Sequence, residues 1–291
     1  MSVDAFSMTL LPECRFLVPA AVLLAIVVAN PVMAQNGDEE IQVGNLHFSF
    51  ANYLGSGIYS VEDRTVQVYH FPTTFDLVSP ERRDWGMSIQ VPVTLGFYDF
   101  RAEDILVVGL PDRVSTISVV PSLMVPFYVS ERWVLTPNVD FGAAKEFDQG
   151  ELVWVLGVGM QADAVYPMKG YELRPLLRAL WAQHTGPVRE IGDDLGRFEA
   201  GLEGRFPLGF YIFGQSANLG VFGKYYSYMT ELEFVTPDGI PIDFTNQWEF
   251  GATLGTKTPL RFLGIKLPRV GLSYRFGENV GAVRIILGKP M

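Results

Sequence analysis

From Trp85 to Phe97 every second residue is apolar (Trp85, Met87, Ile89, Val91, Val93, Leu95, Phe97), with Gly86, Ser88, Gln90, Pro92, Thr94 and Gly96 between them. A period of two puts the two sets on opposite faces of one extended strand. Globular strands usually run about 5–6 residues, whereas a strand that crosses a bilayer needs about 9–11. This run is long enough to cross. Because a spanning strand must pair all its backbone groups within the lipid, such strands occur in closed barrels. Similar alternation recurs in about twelve segments, near 44–51, 65–78, 85–100, 114–128, 133–144, 152–165, 171–184, 197–206, 216–228, 243–256, 268–276 and 279–288. It is clearest in the fifth, eighth and tenth. It is weakest in the first and from Phe206 to Tyr228, so ten and fourteen strands are the alternative counts. Hydrophobic residues make up 48% of the chain, yet beyond the first 34 residues no unbroken apolar stretch approaches the ~18 residues of a membrane helix. The fold class expected is an all-β, antiparallel, up-and-down transmembrane barrel, which places the chain in a Gram-negative outer membrane.

Connection lengths support the same reading, because barrels of this type alternate short periplasmic turns with longer external loops. Pro80–Asp84, Val129–Arg132 and Tyr166–Gly170 are short, while Asn52–Arg64, Arg101–Arg113, Thr185–Gly196 and Met229–Ile242 are long and polar or Gly-rich. Two connections depart from the alternation. Thr256–Leu267 is long where a turn is expected, and Gly277-Glu278 is tight where a loop is expected. Aromatic residues such as Trp85, Phe100, Tyr128, Trp133 and Trp154 fall near segment ends, where amphipathic rings favour the headgroup region.

Arg15 precedes an apolar run from Phe16 to Val28, and Val32-Met33-Ala34 offers the residues a signal peptidase reads. The run contains Pro19 and is shorter than the ~20 residues a spanning helix needs. The expected organisation is a cleaved signal peptide at 1–34, a short periplasmic segment at 35–43 and a barrel domain at 44–291. Cleavage removes Cys14, the one cysteine, and with it any disulfide or thiolate metal site. It also removes Asp4, Glu13 and Arg15, which shifts the formal charge from −10 to −9. An acidic chain without clustered Lys and Arg argues against a nucleic-acid partner.

With outward faces set by apolar parity, the lumen receives Asp140, Asp163, Glu172, Arg174, Arg178 and His184 from the middle strands. Arg197, Glu199, Glu203, Arg205, Glu249, Arg275 and Arg284 join them from the later ones. Unpaired charges in a narrow barrel are costly, so these side chains are expected to form a paired network that fills the lumen and holds the strands in register. The functional reading of the same residues is a constriction that selects solutes by sign and size. Their near balance of acids and bases then predicts weak selectivity. An enzyme is the alternative function. His47 and Ser49 share one face of the first expected strand, the i,i+2 spacing from which a serine can be activated, and they resemble the His-x-Ser arrangement of outer-membrane lipid A deacylases. No orienting carboxylate is identifiable beside them. His70 and His184 lack metal-ligand spacing. Gly157-Val158-Gly159-Met160-Gln161-Ala162 has the spacing of a dinucleotide fingerprint, but Pro167 and Gly170 leave no room for the helix that must follow. No catalytic residue, cofactor site or metal site is assigned.

Arg269-Val270-Gly271-Leu272-Ser273-Tyr274-Arg275-Phe276 resembles the signal by which barrel-assembly machinery recognises its substrates. Arg269, Gly271, Tyr274 and Phe276 occupy its polar, glycine and two aromatic positions, although a further strand follows and the chain ends in Met291. The body from Asn45 onward, in particular Tyr53–Tyr59 (YLGSGIY), Gln90–Phe100 (QVPVTLGFYDF) and Gly271–Gly288 (GLSYRFGENVGAVRIILG), resembles the solitary outer-membrane autotransporter-like β-barrel proteins. The resemblance implies a twelve-stranded barrel like an autotransporter translocator, without a secreted passenger, in a structural or pore-like role. It also implies a monomer in contact with outer-membrane lipid and lipopolysaccharide, delivered by periplasmic chaperones and the barrel-assembly machinery. Only Gln35–Val43 separates the signal from the first expected strand, too short for a passenger or for a helix that threads the pore. The cleavage assignment predicts that mass spectrometry of the protein from outer-membrane fractions finds Gln35 at the amino terminus; a mass that retains residues 1–34 would make the segment an anchor.

Overall fold

The computed structural model describes residues 50–61, 64–79, 84–100, 115–147, 152–185, 194–229, 233–235, 241–243, 246–258, 261–262, 265–266, 269–277 and 280–288. They form a closed antiparallel barrel of 12 strands. The first three are β1 (Gly57–Val61), β2 (Arg64–Val78) and β3 (Met87–Phe100). Strand β4 comes in three pieces, Thr116–Val119, Ser122–Met124 and Phe127–Tyr128, which pair in succession along one neighbour. Next are β5 (Trp133–Glu146), β6 (Leu152–Ala164), β7 (Glu172–Thr185) and β8 (Asp194–Ile212). The last four are β9 (Gln215–Tyr228), β10 (Gln247–Thr256), β11 (Val270–Gly277) and β12 (Val280–Leu287). Each pairs with its neighbours in sequence, and β12 closes on β1 with Gly57 opposite Arg284 and Val61 opposite Val280.

The expected first strand at 44–51 and the expected loop Asn52–Arg64 are both corrected. Phe50 begins a helical turn, α1 (Ala51–Leu54), and the first strand is Gly57–Val61, only two residues before β2. The remainder of the expected first strand, with His47 and Ser49, lies outside the described residues, as do the signal peptide and Arg101–Arg113. A five-residue strand gives a weak period-two signal of its own. Its conformation is imposed by the partners on either side, β2 and β12. Ser56 extends that pairing: its hydroxyl donates to the His70 carbonyl (3.0 Å) and accepts from the His70 N–H (2.8 Å), while its own carbonyl accepts from the Ile285 N–H (3.2 Å). The wide connection after β10 holds a short ladder, Arg261–Phe262 with Ile265–Lys266, and the connection after β9 holds another, Glu233–Val235 with Pro241–Asp243.

The faces are inverted relative to a water-soluble barrel. Phe198, Leu202 and Phe206 of β8, Trp248, Phe250 and Leu254 of β10, and Leu272, Tyr274 and Phe276 of β11 all point outward. Their rings stack between neighbouring strands, Phe250 on Phe276 at 6.2 Å and Phe141 on Trp154 at 5.6 Å. Cross-strand aromatic pairs of this kind support the register that keeps these apolar stripes on the outer face.

Strands β8 and β9 outrun the wall. Arg205 opposite Glu172 is the last pairing of β8 with β7, and Ala217 opposite Thr256 is the last of β9 with β10. Past the pairs Phe206–Leu219 and Pro207–Asn218 the ladder crosses a register shift, and the pairs that remain are Tyr211–Ser216 and Ile212–Gln215. The tip is Phe213-Gly214, with φ of 47° and 77°. Phe213 is the one non-glycine residue with positive φ among the described residues, a conformation costing about 1–3 kcal/mol.

The breaks in β4 have a steric origin. Pro121 cannot donate to the ladder, and its carbonyl instead accepts from the Phe141 N–H at 2.9 Å while Val120 folds into the lumen over Gly142. A Cβ on Gly142 would overlap the Val119 carbonyl oxygen and the Val120 Cα, both backbone. Gly142→Ala is accordingly expected to cost about 1–3 kcal/mol, read as a lower guanidinium midpoint of the refolded barrel, whereas Gly209→Ala, which meets nothing within 4 Å, should leave it unchanged.

Candidate functional site: the barrel lumen

Alternation along β7 to β12 sends polar side chains inward among buried apolar ones, and closure brings them together in the lumen. One half of the lumen is apolar. Phe50 and Tyr53, from the helical turn, pack with Val120, Ala144, Val153, Val155, Leu180, Ala182 and Leu195. The Phe50 ring meets His184 edge-on at 5.5 Å. The turn is held through its backbone: Arg197 Nη1 donates to the Tyr53 carbonyl at 2.9 Å, and the Tyr59 hydroxyl lies 2.5 Å from the Leu54 carbonyl and 2.9 Å from that of Gly55. Gly55, with φ of 79°, turns the chain from the lumen into the wall, a conformation that favours glycine. Gly157 leaves the space that the Tyr53 hydroxyl and Asp140 fill. The described chain thus begins inside the lumen, while Gln35–Val43, expected to be too short for a helix that threads the pore, lies outside the described residues.

Below the apolar half lies a charged layer centred on Tyr226. Arg197 Nη2 meets Glu199 Oε1 at 2.6 Å, Lys224 Nζ meets Glu199 Oε2 at 3.3 Å, and Arg178 reaches the same carboxylate at 3.9 Å. Glu249 accepts from Ser273 Oγ at 2.5 Å, from Arg284 Nη1 at 2.5 Å and from the Tyr226 hydroxyl. Glu249 and Arg275 are each only 1% exposed. The Arg275 guanidinium lies 3.9 Å over the Tyr226 ring and donates to the Tyr228 hydroxyl, while its Nε and Nη1 lack a hydrogen-bond partner. Arg178, Arg197, Lys224, Arg275 and Arg284 gather around the two carboxylates Glu199 and Glu249. The ring face of Tyr226 offsets part of the surplus by cation–π attraction, with Lys224 Nζ at 5.4 Å and Arg197 Cζ at 5.6 Å from its centre.

A second layer lies toward the β8–β9 tip. Arg205 Nη2 meets Glu203 Oε2 at 2.9 Å, and Arg269 Nε stands 3.9 Å from Glu203 Oε1. Arg269 also donates to Thr253 Oγ1 at 3.1 Å and to the Asn218 side chain. Glu172 lies opposite Arg205 and Arg174 opposite Glu203 on the paired strands. Asp163 accepts from Gln161 at 3.1 Å, and Asp140 accepts from Asn138 at 2.8 Å, away from both layers' closest pairs. Of the four residues read as an assembly signal, Tyr274 and Phe276 face outward, Gly271 sits where a Cβ would overlap the Ala252 carbonyl, and Arg269 turns into the lumen.

Lys224 and Tyr226, the centre of the first layer, escape the sequence reading. On β9 the outward and inward faces both carry rings, with Tyr225 outward against Trp248 at 4.9 Å and Tyr226 inward, so apolar parity does not separate them. The signal that could have found them is Lys224, a cation that a lipid-facing position would not tolerate. Lys224 and Arg269 add two cations to the lumen that the expected near balance of acids and bases did not include, and Lys224 joins the layer already richest in cations.

Comparison of the chain with models of known protein families and with curated proteins finds no match. Removing one partner of a buried ion pair leaves the other uncompensated, at about 3–5 kcal/mol. Glu249→Ala should therefore lower the guanidinium midpoint of the refolded barrel far more than Ser273→Ala, which removes one hydrogen bond and costs about 0.5–1.5 kcal/mol; equal effects would mean that Glu249 is solvated.

Proposed function

We propose that the chain is an integral outer-membrane β-barrel, like an autotransporter translocator without a passenger, that acts as a sealed structural barrel and not as a catalyst. The observation that carries this reading is a single step along β8: Leu202 is 48% exposed, and its neighbour Glu203 is 1% exposed. Water would select the reverse order, whereas hydrocarbon outside and an interior where charges meet counter-charges and an aromatic ring select this one. The outward aromatic stacks suit the acyl chains of phospholipid and lipopolysaccharide. The strand Val270–Gly277, presented with its aromatics on one face, suits recognition by assembly machinery through strand pairing. Solvent exclusion at Glu203, Glu249 and Arg275, together with the helical turn, favours a closed lumen over a standing pore.

Planar-bilayer recording of the refolded protein tests the seal. Silence is expected, and steady conductance would replace the sealed barrel with a pore. A paired substitution tests the membrane reading itself. Leu202→Arg sets a cation in the outer belt at about 2–4 kcal/mol and should sharply reduce the heat-modifiable folded form on a gel. Glu203→Gln should leave most of it intact. The reverse order of severity would place water, not lipid, outside the barrel.

A further inference from the structure

The β8–β9 tip combines features that neither the seal nor the wall requires. Between Pro207 and Ser216 the chain stands past the last partners of β7 and β10, so the tip is a two-stranded extension that no third strand among the described residues pairs with. Its rings are bare: Tyr211 is 73% and Phe213 88% exposed, the latter the highest of the large apolar side chains described. From Phe206 to Gly223 not one residue is charged. The turn is also unsuited to its residue. Two-residue hairpins with positive φ at both central positions favour Asn-Gly or Gly-Gly, and this one keeps Phe213-Gly214. Hairpins that face water carry polar residues at such tips, so an exposed, uncharged, aromatic and strained tip points to a ligand.

The occupant follows from continuity. Phe198, Leu202 and Phe206 form the outward stripe of β8, and the chain runs on from Phe206 through exposed Phe210, Tyr211 and Phe213 to the tip. The register shift between Pro207 and Tyr211 lies where the extension leaves the wall, and irregularities of this kind bend a strand and re-aim its side chains. We infer that the tip is an interfacial anchor: bent at the shift, it inserts Phe210, Tyr211 and Phe213 into the boundary between phospholipid headgroups and acyl chains. This rests on the membrane reading of the outer belt. Lipid is favoured over a protein partner because the surface offers rings and no charge, the composition that suits a headgroup boundary.

Environment-sensitive fluorophores attached to single cysteines test it, in a Cys14→Ser background refolded into phosphatidylcholine vesicles. The sites are Leu202→Cys on the belt, Phe213→Cys and Tyr211→Cys on the tip, and Ser130→Cys, an exposed turn at the same rim. Heat modifiability confirms folding of each. The expected result is blue-shifted emission at 202, 211 and 213, with loss of quenching by aqueous iodide. Labels at 211 and 213 should be quenched more by spin labels near the headgroup than by those deep in the acyl chain. The label at 130 should remain open to iodide. Labels at 211 and 213 that behave like 130 while 202 stays shielded would overturn the anchor and leave the membrane reading standing. Loss of shielding at 202 as well would overturn both. Shielding at the tip without any quenching by spin-labelled lipid would assign the rings to a second copy of the chain and overturn the lipid anchor.

Discussion

Closure of β12 on a five-residue β1 is the constraint on which the rest of the molecule depends. Only when Gly57–Val61 lies between β2 and β12 does the sheet become a ring, and only a ring gives the polar faces of β7 to β12 a common interior. Charges that would otherwise face solvent are then buried and brought within ion-pair distance. The lumen network is a product of closure, not a cause of it. The Arg284 side chain, opposite Gly57 at the seam, joins the two directly by reaching Glu249.

The interior that results is arranged by kind. An apolar half is filled by the helical turn, a cationic layer surrounds Tyr226, and a more evenly paired layer follows around Glu203. A buried cation such as Arg275, with two nitrogens lacking partners, is tolerated because an aromatic face and a hydroxyl share its charge. The same low dielectric that makes such a group expensive also strengthens the contacts it does make.

Long strands were legible in the chain because period two survives wherever one face is apolar, as at Trp85–Phe97 and along Gln247–Thr256. Legibility failed where that asymmetry fails. Gly57–Val61 is too short to carry a period and borrows its conformation from both neighbours. On β9 rings occupy both faces, which hid Tyr226. Past Phe206 the parity is lost because the register shifts by a bulge before the tip. Inward and outward residues of β8 could be named from alternation alone, but which carboxylate each guanidinium meets depends on the stagger between strands, and one chain read linearly does not contain it.

The helical turn carries a consequence for the order of folding. Residues 50–54 lie inside a ring whose final seam is made by β1 itself, three residues later, with a strand more than two hundred residues away. Only Gly55 and Ser56 join the turn to β1, so the pairing that seats β1 against β12 also fixes the turn against the inner wall. Closing so long a loop is entropically costly and slow. The step that completes the wall is therefore the same step that commits the segment to the lumen.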